Sequence, residues 1–180
     1  MKAVLLSIRP KWCGLIASGK KTIEVRKTRP KLETPFKCYI YQSKAHLPGH
    51  MALGGTPADP CSVIGEFICD WIMYMHISYD DPNDDSAMRV DPSTGMTAQE
   101  EMAYLGNPGD GWYWHISSLD IYETPRPLLE FRKVCPEDLF CESCGMHSEY
   151  TETCGNAALY LRRPPQSWCY VEEVDGRARI

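Results

Sequence analysis

The chain has 180 residues, of which 43% are hydrophobic and 24% charged, proportions that are usual for one globular domain. No apolar run approaches the roughly 18 residues that span a membrane, and the N-terminus does not resemble a signal peptide. We therefore expect a cytoplasmic protein whose nine cysteines stay mostly reduced. The net charge of −5, taken as a whole, argues against a nucleic-acid partner.

The first quarter of the chain predicts a strand, a helix and a second strand. Residues 2–8 predict the first strand, and Pro10 suits the first turn of the helix. Gly19 suits the position just after the helix, because a left-handed backbone conformation costs glycine little. Apolar and polar residues alternate over residues 22–27, which predicts a strand with one polar face.

The middle of the chain predicts further strands. Residues 36–42 predict the third strand, which is rich in aromatic residues. Residues 62–77 predict one long apolar strand that is bent at Gly65 or broken near Asp70.

The second half predicts one helix with well-marked ends and two more strands. Thr97 and Glu100 have the spacing of a capping box at the start of the helix, and Gly106 ends it. Residues 113–122 and 167–174 predict the remaining strands. Short strands joined by turns, with few helices, favour a small barrel.

A strip of polar residues around the second strand is the strongest indication of a functional site. Thr22, Glu24 and Arg26 share one strand face, each about 7 Å from the next. Lys20 and Lys21 lie in the turn that leads into this strand. A hydroxyl, a carboxylate and several cations this close together favour a polar ligand site. The alternative is that Glu24 only pairs with Lys21 or Arg26 to neutralise buried charge.

The sequence around this polar strip resembles a known family. The run GKKTIEVRK, residues 19–27, is similar to the signature of the ASCH domain, in which a glycine after a short strand and a helix is followed by Lys-Thr-x-Glu-x-Arg. The resemblance continues in order through residues 39–44, 63–70, 114–131 and 164–173. It resembles in particular members carried by phages and prophages.

This resemblance implies an α+β fold, a small mixed β-barrel similar to the PUA RNA-binding fold, with a few short helices. It implies a single domain over residues 1–180, with an acidic insertion near 78–111 and a cysteine-rich insertion near 133–156. Charge is segregated along the chain, since residues 1–44 carry eleven Lys or Arg and two Glu, whereas residues 78–111 carry eight Asp or Glu and one Arg. A positive groove is therefore compatible with an acidic total, although surface charge also clusters by chance.

A binding module for RNA or a nucleotide is the first class of function that this resemblance supports. Lys20, Lys21 and Arg26 would contact phosphate, while Glu24 and Gln42 would contact a base or ribose edge. In the family fold, the segment that contains Trp168 returns beside the polar strip. Trp168 would then either stack on a base or belong to the core.

An enzyme is the second class. Some ASCH proteins resemble amidohydrolases that act on an acylated cytidine, and others have been described as ribonucleases. The hydrolases use a Lys, a Thr two or three residues later and a distant Glu. Here Lys21 matches, but Glu24 occupies the second threonine position, which argues against the amidohydrolase. Glu24 as general base and Lys21 as oxyanion stabiliser would still form a hydrolytic pair.

Four clustered cysteines predict a structural zinc site. Cys141 and Cys144 form a CxxC pair followed by glycine, a turn that presents two thiolates to one tetrahedral metal. Cys135 and Cys154 would complete the site, with His147 as a substitute ligand. Free thiols and redox or disulfide chemistry are the alternatives. The remaining cysteines lie in apolar segments and are expected in the core: Cys13, Cys38, Cys61, Cys69 and Cys169.

Overall fold

The computed structural model describes residues 1–44, 61–77, 90–135 and 156–174, together with the backbone of 147–148 and 153–154. The strands in this part of the chain are β1 (Lys2–Ile8), β2 (Ile23–Arg26), β3 (Phe36–Gln42), β4 (Ser62–Cys69), β5 (Ile72–Ile77), β6 (Gly109–His115), β7 (Ser117–Pro127), β8 (His147–Ser148), β9 (Thr153–Cys154) and β10 (Trp168–Glu172). The helices are α1 (Pro10–Ala17) and α2 (Ala98–Leu105). Short 3₁₀ helices cover Pro92–Thr94, Leu128–Glu130 and Ala157–Leu159.

Two sheets form the body of the mixed α+β fold. The larger has the strand order β10-β1-β3-β4-β7, and the smaller has the order β2-β6-β5. β1 pairs in parallel with β3, and the other pairs are antiparallel. β8 and β9 pair only with each other. Within the described residues no ladder joins the larger sheet to the smaller one, so the predicted barrel is wrong in one respect: its sheets do not close.

The strand predicted over residues 62–77 is broken near Asp70, which was one of the two predicted alternatives, and the strand predicted over residues 113–122 also divides, because in both the chain passes from one sheet to the other. The arm over residues 62–77 leaves the larger sheet at Asp70 and Trp71, and the arm over residues 109–127 enters it after Ile116. β4 pairs with β7 and β5 pairs with β6, so the two arms form one hairpin bent across both sheets. Where two sheets meet at a corner, strands commonly bend and pass from one sheet to the other.

Three apolar clusters form the core. The largest lies between the sheets and under α1, and includes Ile16, Phe67 and Trp114. A second covers the other face of the larger sheet around Phe131. The third packs β2 and β6 against α2, through Ile23, Val25 and Leu105 among others. β2 is consequently buried along its whole length, although half of its side chains are charged.

The ends of both helices agree with the prediction. Pro10 occupies the first turn of α1, and Gly19 follows the helix with φ of 72°. Both halves of the capping box between Thr97 and Glu100 are present at the start of α2, and Gly106 is its C-cap. Neither helix is long and apolar enough to cross a membrane, among the residues that the structure describes.

Three of the five cysteines expected in the core are fully buried, namely Cys13, Cys38 and Cys69. Burial raises the pKa of the Cys13 and Cys69 thiols to about 12. Because a thiol reacts as its thiolate, neither is a nucleophile near neutral pH. Cys61 and Cys169 are half-buried.

Candidate ligand cleft

A cavity of about 700 Å³ opens beside β2 and is bounded by both helices. We call it the cleft; it is lined by residues 7–9, 12, 21, 24–28, 96, 100, 103–104 and 166–167. Its volume is within the roughly 300–1,000 Å³ that is typical of small-molecule sites. The lining comes from four separated stretches of sequence, including the end of β1 and the segment before β10.

A buried ion network occupies the floor of the cleft. Glu24 Oε2 lies 3.3 Å from Lys21 Nζ, and Glu24 Oε1 lies 2.9 Å from Arg26 Nη2. The three side chains are only 2–7% exposed. Pairing of Glu24 with both neighbouring cations, which the sequence left as an alternative, is therefore present in the structure.

Lys21 has a partner for each of its three N–H donors. Besides contacting Glu24, its Nζ donates to the carbonyl oxygens of Ile23 and Thr94, each at 2.7 Å. Thr94 belongs to the 3₁₀ helix that precedes α2, so Lys21 fastens that segment to β2. The ammonium also lies 5.4 Å from the centre of the Trp12 ring.

Arg26 joins β2 to the segments on either side of the cleft. Its Nη2 donates to the carbonyl oxygen of Ser7 at 3.0 Å. Its Nη1 contacts the carbonyl oxygen and the hydroxyl of Ser167 at 3.2 and 3.3 Å. Arg26 Nε is buried and has no hydrogen-bond partner within the described parts of the chain. A buried donor left without a partner costs about 1–3 kcal/mol.

The cleft carries an excess of positive charge. The buried ion network contains two cations and one carboxylate. Arg9 and Lys27 add exposed cations at the rim, and neither forms an ion pair with another described residue. The acidic residue Glu100 also lines the cleft, but it pairs with Lys11. The balance favours an anionic ligand.

Two aromatic rings, Trp12 and Tyr104, line the cleft from opposite helices. Burial raises the pKa of the Tyr104 hydroxyl, an effect that the positive charge of Arg26 opposes. Lys27 Nζ lies 5.5 Å from the centre of the Tyr104 ring. Tyr104 belongs to the acidic stretch predicted as an insertion, so this stretch contributes α2 to the wall of the cleft.

The structure brings three of the predicted ligand-binding residues together and places four elsewhere. Lys21, Glu24 and Arg26 line the cleft, whereas Lys20, Thr22, Gln42 and Trp168 do not. Lys20 is exposed in the turn before β2, while Thr22 and Gln42 are half-buried.

Trp168 packs against the core and supports the loop after β2. Its indole N–H donates to Thr28 Oγ1 at 3.0 Å, and its ring lies edge-on to Trp114 at 6.0 Å between centroids. The segment before it does lie beside the polar strip, because Ser167 contacts Arg26. Trp168 thus holds a wall of the cleft in place without lining it.

Several residues of the cleft were missed by the sequence reasoning. Arg9 and Trp12 are three residues apart at the start of α1, a spacing that places side chains on one helix face. That spacing could have identified both. Ser7, Tyr104 and Ser167 come from distant parts of the chain, and only the packing of β1, α2 and β10 brings them to β2.

The predicted zinc ligands fall mostly outside the residues that the structure describes. Cys141 and Cys144 lie in a segment outside those residues, and only the backbone of Cys154 is described. Cys135 is half-buried. Four thiolates would suit Zn²⁺ in a closed tetrahedral site.

The zinc site stays a prediction with a direct test. We expect purified protein to carry about one equivalent of zinc by elemental analysis, and a chelator to lower its melting temperature, because bound metal contributes to folding. Cys141→Ser with Cys144→Ser should release the metal, whereas Cys69→Ser, at a buried core cysteine, should leave the zinc content unchanged. Metal-free protein of unchanged stability would contradict the prediction.

Comparison with known proteins gives a family match for the part of the chain that forms the floor of the cleft. Residues 6–80, which include β2 and the whole polar strip, match the family model of the ASCH domain. No curated protein shows a significant match to the chain. The crystal structure of ASCH from Zymomonas mobilis is similar, with a TM-score of 0.51 and 19% identity over 70% of this chain and 73% of that one.

Two variants of the same Zymomonas mobilis protein are similar to a comparable degree. The variant with a tyrosine replaced by phenylalanine has a TM-score of 0.52 and 19% identity over 71% of this chain and 77% of that one. The variant with a serine replaced by alanine has a TM-score of 0.51 and 19% identity over 70% and 74%. Residues 6–80 thus match the ASCH domain, and the fold of the chain is similar to that of a solved ASCH protein.

Proposed function

We propose that this protein binds single-stranded RNA, or a nucleotide from it, in the cleft. The ASCH match supports this class of ligand, since the ASCH domain is PUA-like and suggested to bind RNA. The observation that carries the proposal is the buried ion network at the floor of the cleft, which has one cation in excess of its carboxylate. A phosphate group would balance this charge.

The rim of the cleft provides the remaining phosphate contacts. Arg9 and Lys27 are exposed and stand at the ends of α1 and β2 that open onto the cavity. Neither cation is neutralised by another described residue. Such side chains supply the affinity that is independent of base sequence and is sensitive to salt.

The aromatic and neutral polar lining suits a base and a ribose. Trp12 and Tyr104 offer ring faces, and single-stranded RNA is commonly held by bases stacked on aromatic side chains. Gln166 and Ser167 lie in the same wall and carry groups that can hydrogen-bond a base edge or a 2′-hydroxyl.

Hydrolysis by Lys21 and Glu24 is the less favoured alternative. Both carboxylate oxygens of Glu24 already contact cations, and all three donors of Lys21 have partners. A general base must reach the proton it removes, and an oxyanion stabiliser needs a free donor. Neither residue offers this without breaking the buried ion network.

RNA binding is tested by its salt dependence. We expect the affinity for a labelled oligouridine, followed by fluorescence anisotropy, to fall with a log–log slope of about −2 to −3, as for three or four phosphate contacts. Arg9→Ala and Lys27→Ala should each flatten the slope by about 0.7 and weaken binding by roughly 1 kcal/mol. These exposed residues report on binding better than Lys21 or Arg26, whose replacement would also disturb folding.

Lys133→Ala serves as the matched control, because Lys133 is an exposed cation outside the cleft. Its slope and affinity should equal those of the wild type. Absence of binding, or binding without salt dependence, would contradict the proposal and favour an uncharged small molecule or a protein partner.

A further inference from the structure

A row of side chains leads from the cleft to the open edge of the smaller sheet. Arg26 on β2 is in register with Trp112 on β6, and Trp112 is in register with Tyr74 on β5. Residues in register on neighbouring strands present side chains on the same face, with the strands about 4.8 Å apart. Tyr74 therefore lies about 10 Å from Arg26 across the sheet, a distance that the next nucleotides of an extended strand can cover.

The two rings in this row are held in fixed positions, Tyr74 exposed and Trp112 half-buried. Tyr74 is 52% exposed, and its ring meets Trp112 edge-on at 5.2 Å between centroids. The Tyr74 hydroxyl donates to Asp110, which also contacts His76 at 2.8 Å. A tethered ring loses little freedom when a ligand stacks on it, so its orientation favours binding.

A basic loop extends along the same row. The guanidinium of Arg29 lies 4.7 Å from the centre of the Trp112 ring. Two aromatic residues of β10 hold the loop, since Trp168 donates to Thr28 and the Tyr170 hydroxyl accepts from the backbone N–H of Lys31 at 2.7 Å. The side chains of Arg29 and Lys31 are exposed, as is that of Lys27 at the rim of the cleft.

We propose that Tyr74, Trp112 and Arg29 form a stacking platform for a second nucleotide of the RNA whose first nucleotide occupies the cleft. The proposal rests on the proposed function and extends it from a nucleotide to a strand. Bases stack on aromatic rings and on arginine planes, and the platform offers both: the exposed Tyr74 ring and the Arg29 guanidinium that lies over Trp112. Its charge agrees with this, because cations line the loop next to the cleft, and Asp110, which accepts from the Tyr74 hydroxyl, is paired with His76.

The platform predicts that affinity depends on the length of the ligand. Wild-type protein should bind a uridine hexanucleotide more tightly than uridine monophosphate. Tyr74→Ala and Arg29→Ala should each weaken hexanucleotide binding about fivefold or more, the usual effect of losing one stacked base. Both variants should bind the mononucleotide within about twofold of the wild type, because neither residue lines the cleft.

Two control variants separate stacking from other effects. Tyr74→Phe keeps the ring and should retain most of the hexanucleotide affinity. Met73→Ala changes a neighbour on β5 that is 49% exposed and projects to the opposite face of the strand, so its affinity should equal that of the wild type.

The outcomes distinguish the platform from the cleft. Tight hexanucleotide binding that is unchanged in the Tyr74→Ala and Arg29→Ala variants would overturn the platform and leave the cleft standing. Equal losses for hexanucleotide and mononucleotide would also overturn it, since the two residues would then act on the cleft itself. A wild-type protein that binds neither probe would overturn the proposed function and the platform together.

Discussion

Replacing Glu24 with glutamine should lower the free energy of unfolding by about 3–5 kcal/mol, because it leaves Lys21 and Arg26 buried without a counter-charge. For a domain of this length that corresponds to a fall in melting temperature of roughly 10 °C. Thermal and urea unfolding of the wild type and the variant measure the effect. The expected loss of stability is large because the Glu24 side chain is buried, with Glu24 only 6% exposed.

A chemically identical substitution on the surface provides the control. Glu130 also pairs with an arginine, at 2.7 Å from Arg126, but its side chain is 43% exposed. Glu130→Gln should therefore change the stability by no more than about 0.5 kcal/mol. Equal effects of Glu24→Gln and Glu130→Gln would show that the buried ion network does not stabilise the fold.

Glu24→Gln, alone and in a double variant, also distinguishes a structural role of Glu24 from a catalytic one. Lys21→Met combined with Glu24→Gln removes one cation together with the carboxylate, so the double variant should be less destabilised than the sum of the single variants. A Glu24→Gln protein that keeps its stability but loses turnover of acylated nucleosides or RNA would instead identify Glu24 as a general base.

Gly65→Ala should destabilise the protein by about 2–3 kcal/mol, as overpacking of a tight site does. A Cβ at this position would clash with the carbonyl oxygen of Asp120 and lie 3.1 Å from Cα of Ile121. Both obstacles belong to the backbone of β7, which cannot move aside as a flexible side chain can. The β4–β7 register shifts between Val63 and Gly65, so the close approach is part of the bend in β4.

Gly14→Ala is the matched control for this prediction. Gly14 lies in α1, and nothing comes within 4 Å of a Cβ built there. Because alanine favours a helix more than glycine, the variant should be up to about 1 kcal/mol more stable than the wild type. Urea unfolding of the two variants should therefore move in opposite directions. A Gly65→Ala protein as stable as the wild type would mean that β4 and β7 can separate at no cost.

Local patterns determined the features that depend on neighbours in sequence. Pro10 and Gly19 bound α1, and Thr97 with Glu100 starts α2, because the groups that satisfy a helix end lie within a few residues of it. The alternation in β2 placed Glu24 and Arg26 on one face, since side chains alternate on every strand. The composition of the polar strip was then enough to indicate a site.

Only the tertiary structure decided which residues complete that site. The sequence offered both a bend at Gly65 and a break near Asp70 in residues 62–77, and the pairing of both halves with residues 109–127 decided for the break. Whether the two sheets join into a closed barrel likewise depends on pairing between strands that are far apart in sequence. Arg26 reaches Ser7 and Ser167, and Lys21 reaches Thr94, through packing that spans most of the chain. The sequence could show that these charges lie close together; their burial, which makes them a network beneath a cleft, results from the strands and helices packed around β2.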